Sequence, residues 1–345
     1  MGVALTELLL IKEIDLEFLR NKILAVDASM WLYQFLSSIR QRDGSLLTDS
    51  KGNVTSHLTG LLARLSNLSQ QDVRLAFVFD GKPPKLKHLT LEKRKEIKIE
   101  AEKKFEKARE REDVELMKKY AARTSRLTPE MINEAKKLVE AFGMPVIEAP
   151  SEAEAQASLI VKNNDAFAIA TNDADALLFE APQIARNVSM AGKKKKTNKL
   201  SYETVSPDLI ILKDNLNHLG ISQEQLIALS MLIGTDYNSG GIKGIGPKTA
   251  LKMVKVHGNN FDALFKEAKW DDFFEFSWQE VFDLFRNIPV EKNYRLKWKD
   301  VDEDEIMKLL VDKHDFSEER VKSQIGNLVK AAGKKSQKGL GDFFN

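Results

Sequence analysis

The chain has 345 residues, 43% of them hydrophobic and 30% charged, which is enough for one large or two modest domains with a real core. It has no cysteine, so disulfides and thiolate metal sites are excluded, and the apolar run LTELLLI is short, carries Glu7 and has no basic flank, so it does not read as a secretion signal or a membrane span. A net charge of +2 conceals segregation: residues 82–126 hold 16 Lys/Arg against 9 Asp/Glu, a pattern that points to an anionic polymer as partner and to cations held elsewhere.

In chain order, KILAVDAS (22–29) reads as a short buried strand that runs into a helix over about 28–41, and a second helix follows over 54–70. VRLAFVFDG (73–81) is the next strand. Residues 85–123 are helical in pattern but have few apolar anchors: Ile97, Ile99, Phe105, Val114, Leu116 and Met117. Glu100 and Lys104 form a helpful i,i+4 pair there, whereas Glu92/Glu96 and Lys103/Lys107 repel. This segment is expected to be a basic arm, marginally ordered alone, that orders on an anionic ligand. A helix over 128–142, a weaker strand at MPVIEAP, a helix over 151–163 and a strand within DAFAIATNDAD follow. ARNVSMAGKKKKTNKLSYETV predicts two strands joined by a basic loop, Lys193 to Lys196, and from about 206 onward the pattern is helical. Strand and helix in alternation predict an α/β fold with a mostly parallel central sheet flanked by helices.

Open α/β sheets place their chemistry beyond the carboxyl ends of the strands. Asp27 closes ILAV, Asp80 closes LAFVF, and Asp173 and Asp175 follow AFAIATN. A single aspartate at such a place is more often a helix cap or turn residue. Three strand ends that all terminate in aspartate would converge on one sheet edge if the strands are parallel neighbours. Glu152 and Glu154 in APSEAEAQ would face the same edge. The competing reading of that stretch is a capping box, with Ser151 as N-cap and Glu154 reaching back to its amide. Residues two apart on a helix point to different sides, so the glutamates suit two ions, or one direct and one water-mediated contact, better than a single ion. Hard oxygen donors without His or Cys favour Mg²⁺ over zinc. With Asp236 of GTDY the acids number seven, and two divalent ions leave them net negative. Lys87 and Arg94, two helical turns apart, are the candidate cations for stabilising charge in the transition state.

GIKGIGPKTA places Gly244, Gly246 and Pro247 just before a helix, with Lys243, Lys248 and Lys252 alongside. This is the pattern of a helix-hairpin-helix unit that grips a DNA backbone through helix-terminal amides. The Walker spacing is missing. The tail KKSQKGLGDFFN carries Gln337, Leu340, Phe343 and Phe344 on a polar linker, a pattern suited to docking in a partner's pocket.

VDASMWLYQFL, FVFDGKPPKLK, APSEAEAQ, TNDADALLF, GTDYNSGGIKGIGPKTAL and QKGLGDFF occur in one order along essentially the whole chain. Together they resemble the flap endonucleases of the structure-specific 5′-nuclease family, the archaeal members most of all. The resemblance implies a metal-dependent endonuclease with 5′-to-3′ exonuclease activity that removes 5′ flaps from branched DNA in replication and repair. It implies two Mg²⁺ bound by Asp27, Asp80, Glu152, Glu154, Asp173, Asp175 and Asp236, some through water. Lys87 and Arg94 match the basic pair at the scissile phosphate, Tyr33 the aromatic on which a base stacks, and Gly2 the N-terminal glycine near the site. The organisation it implies is a nuclease domain over 1–332 with a helical arch at 82–126, a hairpin region at 222–258 that holds K⁺ and downstream duplex, and a flexible tail at 333–345. That tail matches the peptide that docks on the sliding clamp. The absence of cysteine points to an intracellular, cytoplasmic location, and the nuclease is expected to be monomeric. NSGG (238–241) departs from the archaeal pattern, which bears on the ion ligands of the hairpin.

Overall fold

After a two-residue edge strand at Lys12–Glu13 (β1), the apolar run Ile23–Asp27 forms β2 and passes directly into Ala28–Ser38 (α1), with Ser56–Gln70 (α2) next. Arg74–Phe79 (β3) pairs with β2 in parallel, Asp27 standing beside Val78. Lys87–Glu110 (α3) and Val114–Ala121 (α4) form an excursion before Pro129–Ala141 (α5) and Val146–Glu148 (β4). Ala153–Lys162 (α6), Ala168–Ala170 (β5) and Gln183–Arg186 (β6) follow. Gly192–Lys195 (β7) and Tyr202–Val205 (β8) pair only with each other. Asp208–Ile211 (β9) then joins the main sheet, and Leu212–Leu219 (α7), Gln223–Ile233 (α8), Pro247–His257 (α9), Phe261–Glu267 (α10) and Trp278–Asn287 (α11) complete the second layer. These coordinates come from a computed structural model that describes residues 5–111, 113–121, 124–190, 192–195 and 202–326. Gly2, Lys196, Gln337, Leu340, Phe343 and Phe344 lie outside them.

The seven-stranded sheet has the order β1-β9-β6-β5-β2-β3-β4, parallel from β6 to β4, with β9 and β1 antiparallel at one edge. Period-2 alternation splits its strands between two cores. Leu24, Val26, Leu75, Phe77, Phe79, Ala168 and Ala170 face the α1, α2 and α5 side. Ala25, Ala76, Val78 and Ile169 face the α6 and α8 side. Counting on by twos along that second face gives Asp27, Asp80 and Thr171. The pleat itself therefore aims these three side chains toward the start of α6.

Three expectations change. The chain after 206 is not purely helical, because Asp208–Ile211 pairs antiparallel with β6 and buries Leu209 and Ile210. Lys193, Lys194 and Lys195 belong to β7, paired with Thr204, Glu203 and Tyr202, since backbone pairing does not depend on apolar side chains. The excursion is anchored by small residues. Thr90, Ala101 and Ala108 are the buried positions of α3, whereas Ile97 is 56% exposed. Met117 of α4 is buried, and the Glu100–Lys104 pair forms at 2.6 Å. Among the described residues no helix is long and apolar enough to cross a membrane.

A buried ionic cluster ties the end of the described chain back to its beginning. His314 meets Asp49 through Nδ1 at 2.9 Å and Glu134 through Nε2 at 3.0 Å, Lys313 reaches Glu134 at 2.6 Å, and Asp315 accepts from the Ser50 amide at 2.9 Å. Burial opposes the charge of Glu134, but His57, Lys313 and His314 outweigh it and depress its pKa from 4.5 to about 2. Burial also lowers the pKa of His57 from 6.5, and Asp49 is depressed by Asn53 and His314 against its burial. Groups whose folded pKa is depressed contribute stability above their unfolded pKa and lose it as pH falls toward the folded value. Unfolding stability should therefore begin to fall below about pH 6.5 as His57 is charged in the unfolded chain, and fall more steeply between about 4.5 and 2. Urea unfolding at a series of pH values tests this. Glu134→Gln should flatten the more acidic limb, by at most about 3 kcal/mol; an unchanged acidic limb would contradict it.

Candidate active site

The strand-end aspartates are caps and candidate ligands at once. Asp27 ends β2 and accepts the Met30 amide at 3.0 Å as N-cap of α1. Asp173 accepts the Asp175 amide at 3.2 Å and caps the 3₁₀ turn Ala174–Leu177. The start of α6 departs from expectation. Glu152, not Ser151, occupies the N-cap position, and its side chain makes no capping hydrogen bond. Asp80 caps the helix across space, accepting the Ala153 amide at 2.8 Å. One oxygen of each aspartate is thus fixed by a backbone donor, and Glu152 and Glu154 are released from capping duty.

Asp80 reaches α6 because the exits of β3 and β4 run in contact. The Gly81 amide donates to the Ser151 carbonyl at 2.7 Å and the Ala149 amide to the Phe79 carbonyl at 2.9 Å. A Cβ on residue 81 would lie 2.0 Å from the Ala149 oxygen and 2.8 Å from the Pro150 carbonyl carbon. Only glycine allows this approach.

A cleft of about 800 Å³ opens over the sheet edge. Asp27, Asp80, Glu152, Glu154, Asp173 and Asp236 line it, with Tyr33, Lys87 and Arg94. Asp175 is 6% exposed and near enough to Glu154 to help raise its pKa. Lys87, the first residue of α3, meets Glu152 at 2.5 Å and Asp236 at 3.5 Å, and Arg94 pairs with Asp236. The two cations do share a helix face. Tyr33 is 39% exposed, with the Lys98 ammonium 4.8 Å from its ring centroid.

Crowding of like charge shows in the acids. Burial and the neighbouring Asp80 push Asp27 up to about 7. Burial, then Asp173, Asp27 and Asp175, raise Glu154 well above the carboxylate range. Burial raises Asp173 as well, and it raises Glu152 against the pull of Lys87. Burial opposes the Lys87 charge, but Glu152, Asp236 and Asp80 outweigh it and hold its pKa above the ordinary value. Behind the acids Tyr237 packs on Phe285, its phenol raised by burial and by Glu152 and Glu154. Neither Tyr237 nor Thr171 stands out in the sequence.

The chemistry of this donor set fits hard divalent cations. It contains only carboxylates, and Glu152 Oε1 is buried without a hydrogen-bond partner. Among the described residues no three acidic or histidine side chains already form a tight single-ion cage. Loosely spaced carboxylates suit an ion such as Mg²⁺, which keeps several of its waters.

At the hairpin, Gly246 is the N-cap and Pro247 the first residue of α9, and Gly244 takes φ +92°. Lys243, Gly244, Gly246 and Lys248 are exposed. Asn238 holds the preceding turn by accepting from the Thr235 amide at 3.1 Å and donating to the Met231 carbonyl at 2.7 Å.

Residues 2–101 match the XPG N-terminal domain and residues 143–236 the XPG I-region, which defines the chain as a nuclease of the XPG class. Flap endonuclease 1 of Hyperthermus butylicus is 46% identical over 334 residues, covering 96% of this chain and 95% of that one. Flap endonuclease-1 from Methanococcus jannaschii superposes with a TM-score of 0.76 at 39% identity, covering 97% and 100% of the two chains. The catalytic core of Rad2 in complex with DNA substrate follows at 0.68 and 26%, covering 95% and 100%. The chain belongs to the flap endonuclease 1 family and is a structure-specific flap endonuclease.

Because Gly81 holds the two strand exits together, Gly81→Ala should destabilise the fold by roughly 1–3 kcal/mol through overpacking. It should also lower nuclease activity more than its effect on melting would explain, since Asp80 moves with residue 81. Thermal unfolding and turnover measured side by side check this; wild-type values for both would contradict the close approach.

Proposed function

We propose that the cleft hydrolyses a phosphodiester at the single-strand/double-strand junction of 5′-flapped DNA, with two Mg²⁺ held by Asp27, Asp80, Glu152, Glu154, Asp173, Asp175 and Asp236. The observation that carries this reading is the gathering of Asp27, Asp80, Glu152, Glu154, Asp173 and Asp236 around one cleft, with Lys87 and Arg94 in the same cleft. Bound magnesium supplies Lewis acidity and a nucleophilic water at neutral pH. Two divalent ions leave three of the seven negative charges uncompensated. Lys87 and Arg94 offset two of these and move to the scissile phosphate, where charge develops.

Tyr33 offers an exposed ring face on which an unpaired base stacks. Residues 82–126 form the arch that the flap passes, and Gly2 takes the role of the family's N-terminal glycine in contacting DNA. Lys243, Gly244, Gly246 and Lys248 hold backbone phosphates of the downstream duplex, with K⁺ bound at the turn. The 1–332 nuclease domain works as a monomer, and the 333–345 tail docks on a sliding clamp through Gln337, Leu340, Phe343 and Phe344. The same cleft serves a 5′-to-3′ exonuclease.

A labelled 5′-flap DNA with Mg²⁺ tests the reaction. Wild-type protein should release the flap, and Lys87→Ala should lose about 10²–10³ in kcat, as when one charge-stabilising donor is removed. Asp175→Ala should be at least as impaired; undiminished cutting by that variant would contradict the assignment. For the hairpin, Lys248→Ala should weaken binding of flap DNA uniformly across sequences and reduce the slope of log K against log salt by about 1. An unchanged slope would remove Lys248 from the phosphate contacts.

A further inference from the structure

We propose that Thr171 is a positioning residue of the carboxylate cleft, its hydroxyl setting the spacing of Asp27, Glu154 and Asp173. The inference rests on the reading that the cleft binds divalent cations. Thr171 follows β5, and Val26 pairs with Ala170, so Asp27 and Thr171 emerge side by side from neighbouring parallel strands. Strand alternation gives Thr171 the same face as Ile169, the face that packs toward α6. The residue is 1% exposed.

Its single oxygen meets three partners from three segments. It accepts the Asp173 amide at 3.2 Å. Its one proton faces Asp27 Oδ2 at 3.4 Å and Glu154 Oε1 at 3.5 Å. Both distances are long against the usual range of about 2.5–3.0 Å for such bonds, the geometry of one donor shared between two acceptors. A neutral donor between Asp27 and Glu154 holds them near each other without bringing a competing charge. A lysine there would compete with a cation for both carboxylates.

The mount is rigid. Trp31 Nε1 donates to the Ala170 carbonyl at 3.1 Å, directly before Thr171. Asn172 Oδ1 accepts the Asn187 amide at 2.7 Å, directly after it. A β-branched side chain has few χ1 choices, so the hydroxyl is fixed where the backbone places it. Groups that orient ligating carboxylates without touching the ion typically change metal affinity by about 10–100-fold when removed.

The test compares wild type, Thr171→Val, which keeps the shape and loses the hydroxyl, and Thr171→Ser, which keeps it. Mn²⁺ binding is read by electron paramagnetic resonance without DNA, and kcat and KM are read separately on 5′-flap DNA. Thr171→Val should bind Mn²⁺ about 10-fold more weakly or worse, with lower kcat and an unchanged KM for DNA, and Thr171→Ser should lie close to wild type. Thr171→Ala replaces the valine variant if that one does not fold. Wild-type Mn²⁺ affinity in the hydroxyl-free variant would overturn the proposal, as would equal losses in Thr171→Ser and Thr171→Val. A wild-type protein that binds no Mn²⁺ would instead overturn the underlying reading of the cleft.

Discussion

Mutual repulsion among carboxylates at one sheet edge is the constraint on which the rest of the site depends. Left alone, such a cluster in a half-buried cleft would protonate or spread apart. Two kinds of partner hold it together. Backbone amides at Met30, Ala153 and Asp175 each take one oxygen of Asp27, Asp80 and Asp173. Lys87 and Arg94 bring charge from the far side of the cleft. Burial first, and then the repulsion left uncompensated, raises the pKa values of Asp27, Glu154 and Asp173, and this is the demand that divalent cations would meet.

The same partners couple the site to the fold. Asp80 caps a helix that begins some seventy residues later in the chain, and it can do so because the exits of β3 and β4 touch at Gly81. Helix start, strand exit and acid are therefore one unit, and moving any of them moves the others. The cations come from the other direction. Lys87 opens α3, so the position of the excursion and the charge balance of the cleft are linked through one residue. A helix with few buried side chains is thereby held at its base by ion pairs as well as by packing of small residues such as Thr90.

Much of this was legible in the sequence because strand ends and parity are local features. The continuous apolar runs before Asp27 and Asp80 indicated parallel, doubly covered strands, and the pleat then dictated where the acids would point. The seven acids and both cations could be named from residues alone, and the order of motifs added the family. Long-range capping was not legible: nothing near Ser151 shows that Asp80 will take the Ala153 amide. β9 was hidden because four residues of mixed polarity at a sheet edge carry no clear period. Thr171 was overlooked because a threonine after a strand is unremarkable until its neighbours in space are known. The parity that selected Asp27 and Asp80 would have selected it too.

Divalent cations at this edge of the sheet would relieve the repulsion on which the site depends. The most direct measurement is anomalous diffraction from crystals of the protein grown with Mn²⁺ in place of Mg²⁺. Two peaks in the cleft, bounded by Asp27, Asp80, Glu152, Glu154, Asp173, Asp175 and Asp236, are the result expected. A cleft without anomalous density at saturating Mn²⁺, or peaks confined to surface carboxylates elsewhere, would contradict it.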